Sequence, residues 1–163
     1  MQKSWYAVVP AVYLVLENAQ NKILLLKRLN TGYMDGFYSL VAGHIEAQEK
    51  PSKAIIREAY EEAGIKLHPD DVQLQHIMCR YNVGVVDYFF KATHWEGMIS
   101  NKEPEKCSEL AFYALEALPE NTVSYVREAL SFMRQGVQFS EFFDLISAFH
   151  PGSGYRNAEK TTA

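Results

Sequence analysis

The sequence GHIEAQEKPSKAIIREAYEEAGI, residues 43–65, decides the fold of this chain. Its second half has the pattern of a helix in which Glu58, Glu61 and Glu62 are spaced i, i+3 and i+4. At about 100° per residue, this spacing places the three carboxylates on one helix face. Like charges on one face repel one another, so the pattern indicates either a solvated surface or a face that binds a hard divalent cation through oxygen ligands.

Two glycines and further charged residues extend the acidic face into a fixed frame. The frame consists of Gly43, Glu49, Arg57, Glu58, Glu61, Glu62 and Gly64. Seven fixed positions match by chance on the order of 10⁻⁹ to 10⁻⁸ per starting residue, at a background of roughly 5–7% per residue type. The frame therefore favours the cation-binding interpretation. It resembles the Nudix box, G-x5-E-x7-R-E-U-x-E-E-x-G-U, where U is a bulky aliphatic residue.

Two positions depart from the usual Nudix pattern. Ala59 is smaller than the usual first aliphatic residue of the box, whereas Ile65 fills the second. Leu40-Val41-Ala42-Gly43 stands where Leu-Pro-Gly-Gly is common, and this change removes no metal ligand. Looser similarity to the family extends from about Tyr6 to Arg134. The resemblance implies an α/β fold, the Nudix α/β/α sandwich with a mixed β-sheet between helices.

The pattern of apolar residues predicts the elements of such a fold. Strands are expected at 5–16, 23–29, 37–42, 74–80, 83–93 and 109–114, and helices at 51–64 and about 123–134. Pro10 predicts that the first strand lies at a sheet edge or contains a bulge, because proline cannot donate a ladder hydrogen bond. Residues 137–149 are rich in aromatic and aliphatic side chains but give no clear pattern.

Length and composition predict one domain over residues 1–150 and a flexible tail over 151–163. The chain has 163 residues, of which 48% are hydrophobic, and a formal net charge of −4. This balance favours neither disorder nor a basic surface for nucleic acid polymers. Two cysteines outside any CxxC pair favour a reduced, cytoplasmic protein. No long apolar run and no recognisable signal peptide are present in the sequence, so no membrane association is expected.

The resemblance implies a role for each charged residue of the box. The metal ligands implied are the backbone carbonyl of Gly43 and the carboxylates of Glu58, Glu61 and Glu62. Mg²⁺ is the expected ion, with Mn²⁺ as the alternative. Glu58, Glu61 and Arg57 are expected to be catalytic, and one glutamate is the general base; which one varies within the family and stays open. Arg57 is expected to pair with a box carboxylate such as Glu49, its alternative being an ordinary charge on the helix surface.

Four residues outside the box are candidates for catalysis or substrate binding. Glu103 lies eight residues after Trp95, the offset at which MutT-type hydrolases carry a glutamate near the metal. The string NKEPEKCSEL around it is similar to a loop of nucleoside-triphosphate diphosphatases in the same superfamily. By the same resemblance, Arg28 contacts phosphate and Asn121 reads the base, while Tyr33 is a candidate for stacking on it. The alternatives are a solvated loop for Glu103, a turn residue for Asn121 and a core aromatic for Tyr33.

These features favour a Mg²⁺-dependent hydrolase that converts (deoxy)nucleoside triphosphates to nucleoside monophosphate and pyrophosphate. The alternative enzyme acts on nucleoside diphosphate-X compounds such as ADP-ribose. A non-catalytic, nucleotide-sensing Nudix module is less favoured, because every charged position of the box is present. The expected partner is a small nucleotide. The sequence leaves open which base or oxidised nucleotide is preferred and whether the protein is a homodimer.

Overall fold

The computed structural model of the protein describes residues 5–148, which form eight β-strands and three α-helices. In chain order the elements are β1 (Val9–Leu16), β2 (Lys22–Arg28), β3 (Tyr38–Ser39), β4 (Val41–His44), α1 (Pro51–Ala63), β5 (Gln73–Arg80), β6 (Val85–Ala92), β7 (Cys107–Ala114), α2 (Ser124–Arg134), β8 (Phe139–Glu141) and α3 (Leu145–Ala148). The predicted tail, residues 151–163, lies outside the described residues.

The strands form two β-sheets. The larger sheet has the order β4-β1-β6-β5-β8 and the smaller sheet has the order β3-β2-β7. In the larger sheet, β1 runs parallel to β6 and β8 runs parallel to β5, whereas β4–β1 and β5–β6 are antiparallel pairs. This mixed sheet, together with its helices, confirms the predicted α/β class.

Helices α1 and α2 cover opposite faces of the larger sheet. Val12 and Leu14 of β1 belong to the same core cluster as Ile55 of α1. Tyr13, between them in the sequence, packs in a second cluster with Val126 of α2. Because successive side chains of a strand point to opposite faces, this alternation places the sheet between the two helices, as the sandwich requires.

The predicted strand at 37–42 is wrong, because the chain there forms two short strands in different sheets. Tyr38 and Ser39 pair with β2 in the smaller sheet, and residues from Val41 onward pair with β1 in the larger one. Leu40 lies between them and is buried. The change of sheet brings Gly43, the first residue of the Nudix-like box, into the sheet that packs against α1.

The prediction made from Pro10 is also wrong, since β1 lies inside the larger sheet, between β4 and β6, in regular register. The strand begins at Val9 and not at residue 5 as predicted, and the Val9 N–H makes its first bond on the β6 side. Backbone N–H groups alternate in direction, so the nitrogen of Pro10 faces β4. Pairing with β4 begins only at Ala11, opposite His44. Proline is tolerated because it lies just beyond the end of that ladder.

Helix α1 begins and ends where the sequence predicts. Pro51 occupies the first helical turn, and Gly64 follows the last helical residue with φ of +70°. A positive φ favours glycine, and the Gly64 N–H closes the helix by donating to the Tyr60 carbonyl at 3.0 Å. The other predicted elements agree with β2, β5, β6, β7 and α2 to within two residues. The acidic stretch is therefore carried on a helix with fixed ends.

The segment after α2 extends the larger sheet. The Ile77 N–H donates to the Gln138 carbonyl and the Phe142 N–H donates to the Cys79 carbonyl, each at 2.9 Å. These bonds add β8 as a parallel strand beside β5.

Of the helices in residues 5–148, none is long and apolar enough to cross a membrane.

Candidate active site

Helix α1 presents its three glutamates to one cavity. Glu58, Glu61 and Glu62 all line this cavity, which has a volume of about 450 Å³. Glu58 is buried, with 9% of its surface exposed, whereas the Glu61 side chain is 51% exposed. The shared face expected from the i, i+3, i+4 spacing is present, and it forms a wall of the cavity.

Arg57 holds the carboxylates together. Its Nε and Nη2 donate to the two oxygens of Glu49 at 2.9 Å each. Its Nη1 donates to Glu58 at 2.6 Å and to Glu61 at 3.1 Å, and Nη2 also donates to the His44 carbonyl at 3.1 Å. These hydrogen bonds lower the pKa of Glu49. The predicted pairing of Arg57 with Glu49 is confirmed, and the guanidinium offsets part of the repulsion within the acidic face.

Gly43 lies directly against the carboxylate of Glu58. A Cβ atom at this position would overlap the Glu58 side chain. Only glycine therefore fits here without displacing the carboxylate. The absence of a side chain brings the β4 backbone next to the acidic face of α1, which is the arrangement expected if a Gly43 carbonyl and a Glu58 carboxylate share a cation.

Burial makes two carboxylates of α1 harder to ionise. It raises the pKa of Glu62 to about 8, although the Ala42 N–H donates to Glu62 Oε2 at 3.0 Å and opposes the shift. Burial also raises the pKa of Glu58, against the opposing effect of Arg57. A bound cation favours the ionised form of such groups, so the cavity wall is electrostatically suited to gain positive charge.

The loop between β6 and β7 brings a fourth carboxylate to the cavity. Glu103 lines it together with the α1 glutamates. Its Oε1 accepts a hydrogen bond from Lys106 Nζ at 2.7 Å, and its own N–H donates to Asn101 Oδ1 at 3.1 Å. The Cys107 N–H donates to the Glu103 carbonyl at 2.9 Å and closes the turn. The loop thus places one carboxylate and one ammonium group beside the box.

Arg28 and Tyr33 also line the cavity, and a hydrogen bond joins them. Arg28 Nε donates to the Tyr33 carbonyl at 2.7 Å, and its guanidinium carbon lies 5.4 Å from the Tyr33 ring centroid. Its Nη2 donates to Thr31 Oγ1 at 3.0 Å. Asp35 fixes this loop by accepting from the backbone N–H groups of Thr31 and Gly32. The guanidinium is therefore held at the cavity wall by the loop after β2.

Asn121 is placed differently from the other candidates. Its side-chain Nδ2 donates to the Gly36 carbonyl at 2.6 Å, and its backbone carbonyl accepts from the Tyr38 N–H at 2.9 Å. It is not among the residues that line the cavity. In this structure Asn121 joins the loop before β3 to the turn before α2, which is the turn role that its residue type also allows.

Some cavity residues were not expected from the sequence. They are Thr31, Lys106 and two buried tyrosines, Tyr13 of β1 and Tyr125 of α2. Lys106 could have been predicted from the sequence, because it follows Glu103 by three residues in the NKEPEKC string. The two tyrosines could not have been predicted, since an aromatic residue in an apolar strand or helix has the pattern of an ordinary core residue.

The donor set fits a hard cation in an open site. Within residues 5–148, no three carboxylate, imidazole or thiol groups converge as a closed cluster of metal ligands. Mg²⁺ usually keeps several waters and binds through one or two carboxylates plus substrate phosphates, so it does not need such a closed cluster. The buried carboxylate of Glu58 and the backbone of Gly43 beside it offer oxygen donors of the required kind.

Comparison with known families agrees with the fold and with the box. The sequence profile of the NUDIX domain matches residues 8–132. The chain therefore belongs to the Nudix family and is a Nudix hydrolase. Among curated proteins, no relative matches significantly.

Solved structures similar to the chain include MutT proteins. The MutT NUDIX hydrolase from Burkholderia pseudomallei is 25% identical, with a TM-score of 0.67 over 76% of this chain and 95% of that chain. The MutT protein from Methanosarcina mazei Go1 is 21% identical, with a TM-score of 0.68 over 82% of this chain and 97% of that one. A NUDIX hydrolase from Nitrosomonas europaea is 20% identical, with a TM-score of 0.71 over 86% and 82%. These neighbours support a MutT-like Nudix fold.

Proposed function

We propose that the protein is a Mg²⁺-dependent hydrolase of (deoxy)nucleoside triphosphates that forms nucleoside monophosphate and pyrophosphate. One observation carries this proposal: Arg28, Lys106 and Glu103 share a cavity with the three glutamates of α1. A polyphosphate needs positive side chains for its oxygens and carboxylates for the accompanying cation. The cavity, at about 450 Å³, lies within the usual range of roughly 300–1,000 Å³ for small-molecule sites.

The groups that would hold the ion are the Gly43 carbonyl and the carboxylates of Glu58, Glu61 and Glu62. Mg²⁺, or Mn²⁺ in its place, would supply neutralisation of the phosphate charge and a bound water of lowered pKa. All of these groups are oxygen donors, and Gly43 lies directly against Glu58, where a Cβ would overlap the carboxylate. This is the ligand chemistry that a hard divalent cation prefers.

The remaining residues position the reactants. Arg57 keeps Glu49, Glu58 and Glu61 in a fixed arrangement through four hydrogen bonds, and its fifth is donated to the His44 carbonyl. Arg28 and Lys106 bind phosphate oxygens. Water forms a bond to phosphorus, the phosphoanhydride bond breaks, pyrophosphate leaves and the water proton passes to a carboxylate. The acceptor is one of the cavity glutamates, with Glu58, Glu61 and Glu103 as the candidates.

Tyr33 is the proposed stacking residue for the base, because it lines the cavity beside Arg28. Asn121 is not proposed to contact the base, since its side chain donates a hydrogen bond to the Gly36 carbonyl. The proposed base contacts are therefore made by aromatic side chains of the cavity and not by an amide.

A substrate panel tests the proposal. The protein, with Mg²⁺, is assayed against the four dNTPs, the four NTPs and ADP-ribose, and phosphorus NMR identifies the products. We expect the highest kcat/KM for a triphosphate, with pyrophosphate as the product. Equal or greater turnover of ADP-ribose would favour the nucleoside diphosphate-X alternative. Triphosphate hydrolysis that releases inorganic phosphate would contradict the proposed bond cleavage, and the same protein in EDTA is the control.

We also propose a cytoplasmic enzyme with one domain over residues 1–150, acting on small nucleotides and not on nucleic acid polymers or membranes. The free thiols of Cys79 and Cys107 and the formal net charge of −4 support this setting. Sedimentation equilibrium decides between a monomer and a homodimer.

A further inference from the structure

A buried ionic network lies beneath the cavity. Arg80 of β5 donates through Nε and Nη2 to the two oxygens of Asp87 at 2.6 and 3.1 Å. Its Nη1 donates to Asp144 Oδ2 at 2.9 Å. The three residues have exposed fractions of 0%, 0% and 1%. A fully buried pair of this kind is often no more stabilising than well-packed apolar side chains would be, so stability alone does not account for it.

The network contacts the wall of the cavity through Tyr125. The guanidinium carbon of Arg80 lies 4.0 Å from the centroid of the Tyr125 ring. The Tyr125 hydroxyl lies 3.1 Å from the hydroxyl of Tyr13, so that the two form a hydrogen bond. Both tyrosines line the cavity although each is only about 5% exposed, Tyr125 at 4% and Tyr13 at 5%. The position of this hydroxyl pair therefore depends on where the Arg80 network holds the Tyr125 ring.

The tyrosines and the carboxylates line different parts of the cavity. Ala11 and Tyr13 pack in the core cluster on the α2 side of the larger sheet. The carboxylates project from α1, on its other side. The cavity thus extends around β4, the edge strand. If the phosphates bind at the α1 glutamates, as the proposed function holds, the nucleoside extends toward Tyr13 and Tyr125.

One member of the network comes from outside the matched family domain. The NUDIX profile ends at residue 132, and Asp144 lies in the segment that follows α2. Asp144 is held in place by Asn82, whose side chain donates to the Asp144 carbonyl at 2.9 Å and accepts from the Asp144 N–H at 2.8 Å. In the same segment, the Phe142 ring packs edge-on against Tyr125, with centroids 6.4 Å apart. The segment therefore contacts Tyr125 both directly and through Arg80.

We infer that Arg80, Asp87 and Asp144 are positioning residues for the Tyr13–Tyr125 pair, and that the segment after α2 thereby sets the base selectivity of the enzyme. This inference rests on the proposed function, because it assigns the phosphates to the α1 end of the cavity. Tyr13 and Tyr125 contact the nucleoside, and the ionic network acts only through them.

Base selectivity is the measurement that tests the inference. Values of kcat/KM for dATP, dGTP, dCTP and dTTP are determined for the wild type, for Asp144→Asn and for Phe142→Leu. Ser140→Ala is the matched control, because Ser140 lies in the same segment, is buried and bonds His76 Nε2 at 2.9 Å without touching the network. Partial unfolding lowers all four values by one factor, so the ratios between bases report positioning alone. Urea unfolding of each variant measures its stability.

We expect Asp144→Asn to change at least one ratio by roughly three- to tenfold, and Phe142→Leu to change the same ratio in the same direction. Ser140→Ala should leave the ratios at their wild-type values. Unchanged ratios in both test variants, or an equal change in Ser140→Ala, overturn the inference. If Asp144→Asn does not fold, Phe142→Leu against Ser140→Ala decides. Failure of the proposed function is a separate result, in which the wild type hydrolyses no triphosphate. The same variants are then compared by their ratio of kcat/KM between ADP-ribose and UDP-glucose, and a changed or unchanged ratio supports or overturns the inference in the same way.

Discussion

The protein contains two arginine–carboxylate clusters that are similar in chemistry and opposite in exposure. In the Arg57 cluster, the arginine side chain is 25% exposed, and two of its three glutamates, Glu58 and Glu61, line the cavity. In the Arg80 cluster, the arginine and both aspartates are closed off from solvent. An open cluster allows its carboxylates to exchange a guanidinium partner for another cation. In a closed cluster no other cation reaches the carboxylates, so they keep their guanidinium partner. Such a cluster fixes the position of its neighbours but does not bind a ligand.

The largest effect is expected when the closed cluster loses its cation. Arg80→Met leaves two aspartates buried without a partner, which should lower the free energy of unfolding by about 3–5 kcal/mol in urea denaturation. Arg134→Met is the control, because it breaks the exposed pair with Glu116 at 3.3 Å. An exposed pair contributes at most about 1 kcal/mol. Similar losses in the two variants would remove the distinction between closed and open ion pairs.

The next largest effect should come from the open cluster and should affect catalysis without unfolding the protein. Glu61→Gln keeps the size of a side chain that is 51% exposed but removes its charge. We expect kcat/KM to fall at least about 10²-fold at saturating Mg²⁺, the scale of one preorganised electrostatic group in an active site. Glu120→Gln, at an exposed position outside the cavity, is the control. Persistent activity in Glu61→Gln would refute the proposed metal site.

A smaller effect is expected from filling the space that the open cluster needs. Gly43→Ala places a methyl group where the Glu58 carboxylate lies. Displacement of that carboxylate should lower kcat/KM by roughly ten- to 10²-fold in steady-state assays. Combining Gly43→Ala with Glu58→Asp shortens the colliding side chain, so the double variant should lose less than the sum of the two single losses. Strict additivity would show that the collision is not the cause.

The last effect is a pH dependence of the free energy of unfolding in metal-free protein. Burial raises the pKa of Glu62 from its ordinary value of 4.5 to about 8. Between these values the folded state binds a proton that the unfolded state has lost, so the free energy of unfolding falls as pH rises from about 4.5 to 8. Urea unfolding in EDTA across this window should show the slope, and Glu62→Gln should reduce it. The lowered pKa of Glu49 acts below pH 4.5 and does not interfere. An unchanged slope in Glu62→Gln would contradict the assignment.

The open cluster could be predicted from the sequence because its determinants are local. Glu58, Glu61 and Glu62 share a helical face by spacing alone, and Gly64 marks the helix end. The pairing of Arg57 with Glu49 also spans a short stretch of chain. Local spacing therefore predicted the bounds of α1 and the acidic wall of the cavity, whereas the fold class was implied by the resemblance to the Nudix family.

The closed cluster could not be predicted, because it depends on contacts that are distant in sequence. Arg80 and Asp87 occur in two different strands, and Asp144 follows Arg80 by 64 residues. Nothing in their spacing along the chain indicates that the three residues form one cluster. The prediction of a single strand at 37–42 was wrong for the same reason. Pairing partners, and not the propensity of the residues, decide where the chain passes from one sheet to the other. A local turn determines the contact that Asn121 makes with the Gly36 carbonyl, and the reading of a base by Asn121 stays a prediction.

The position of Asp144 also bears on how the chain folds during synthesis. Arg80 and Asp87 leave the ribosome well before Asp144, which is 64 residues beyond Arg80. Until Asp144 has been made, Arg80, which is buried in the folded protein, has only Asp87 of its two aspartate partners. Completion of the network therefore comes only after the acidic helix and most of the larger sheet have been made. The segment after α2 thus completes a buried network whose other two members, and the acidic wall of the cavity, are made before it.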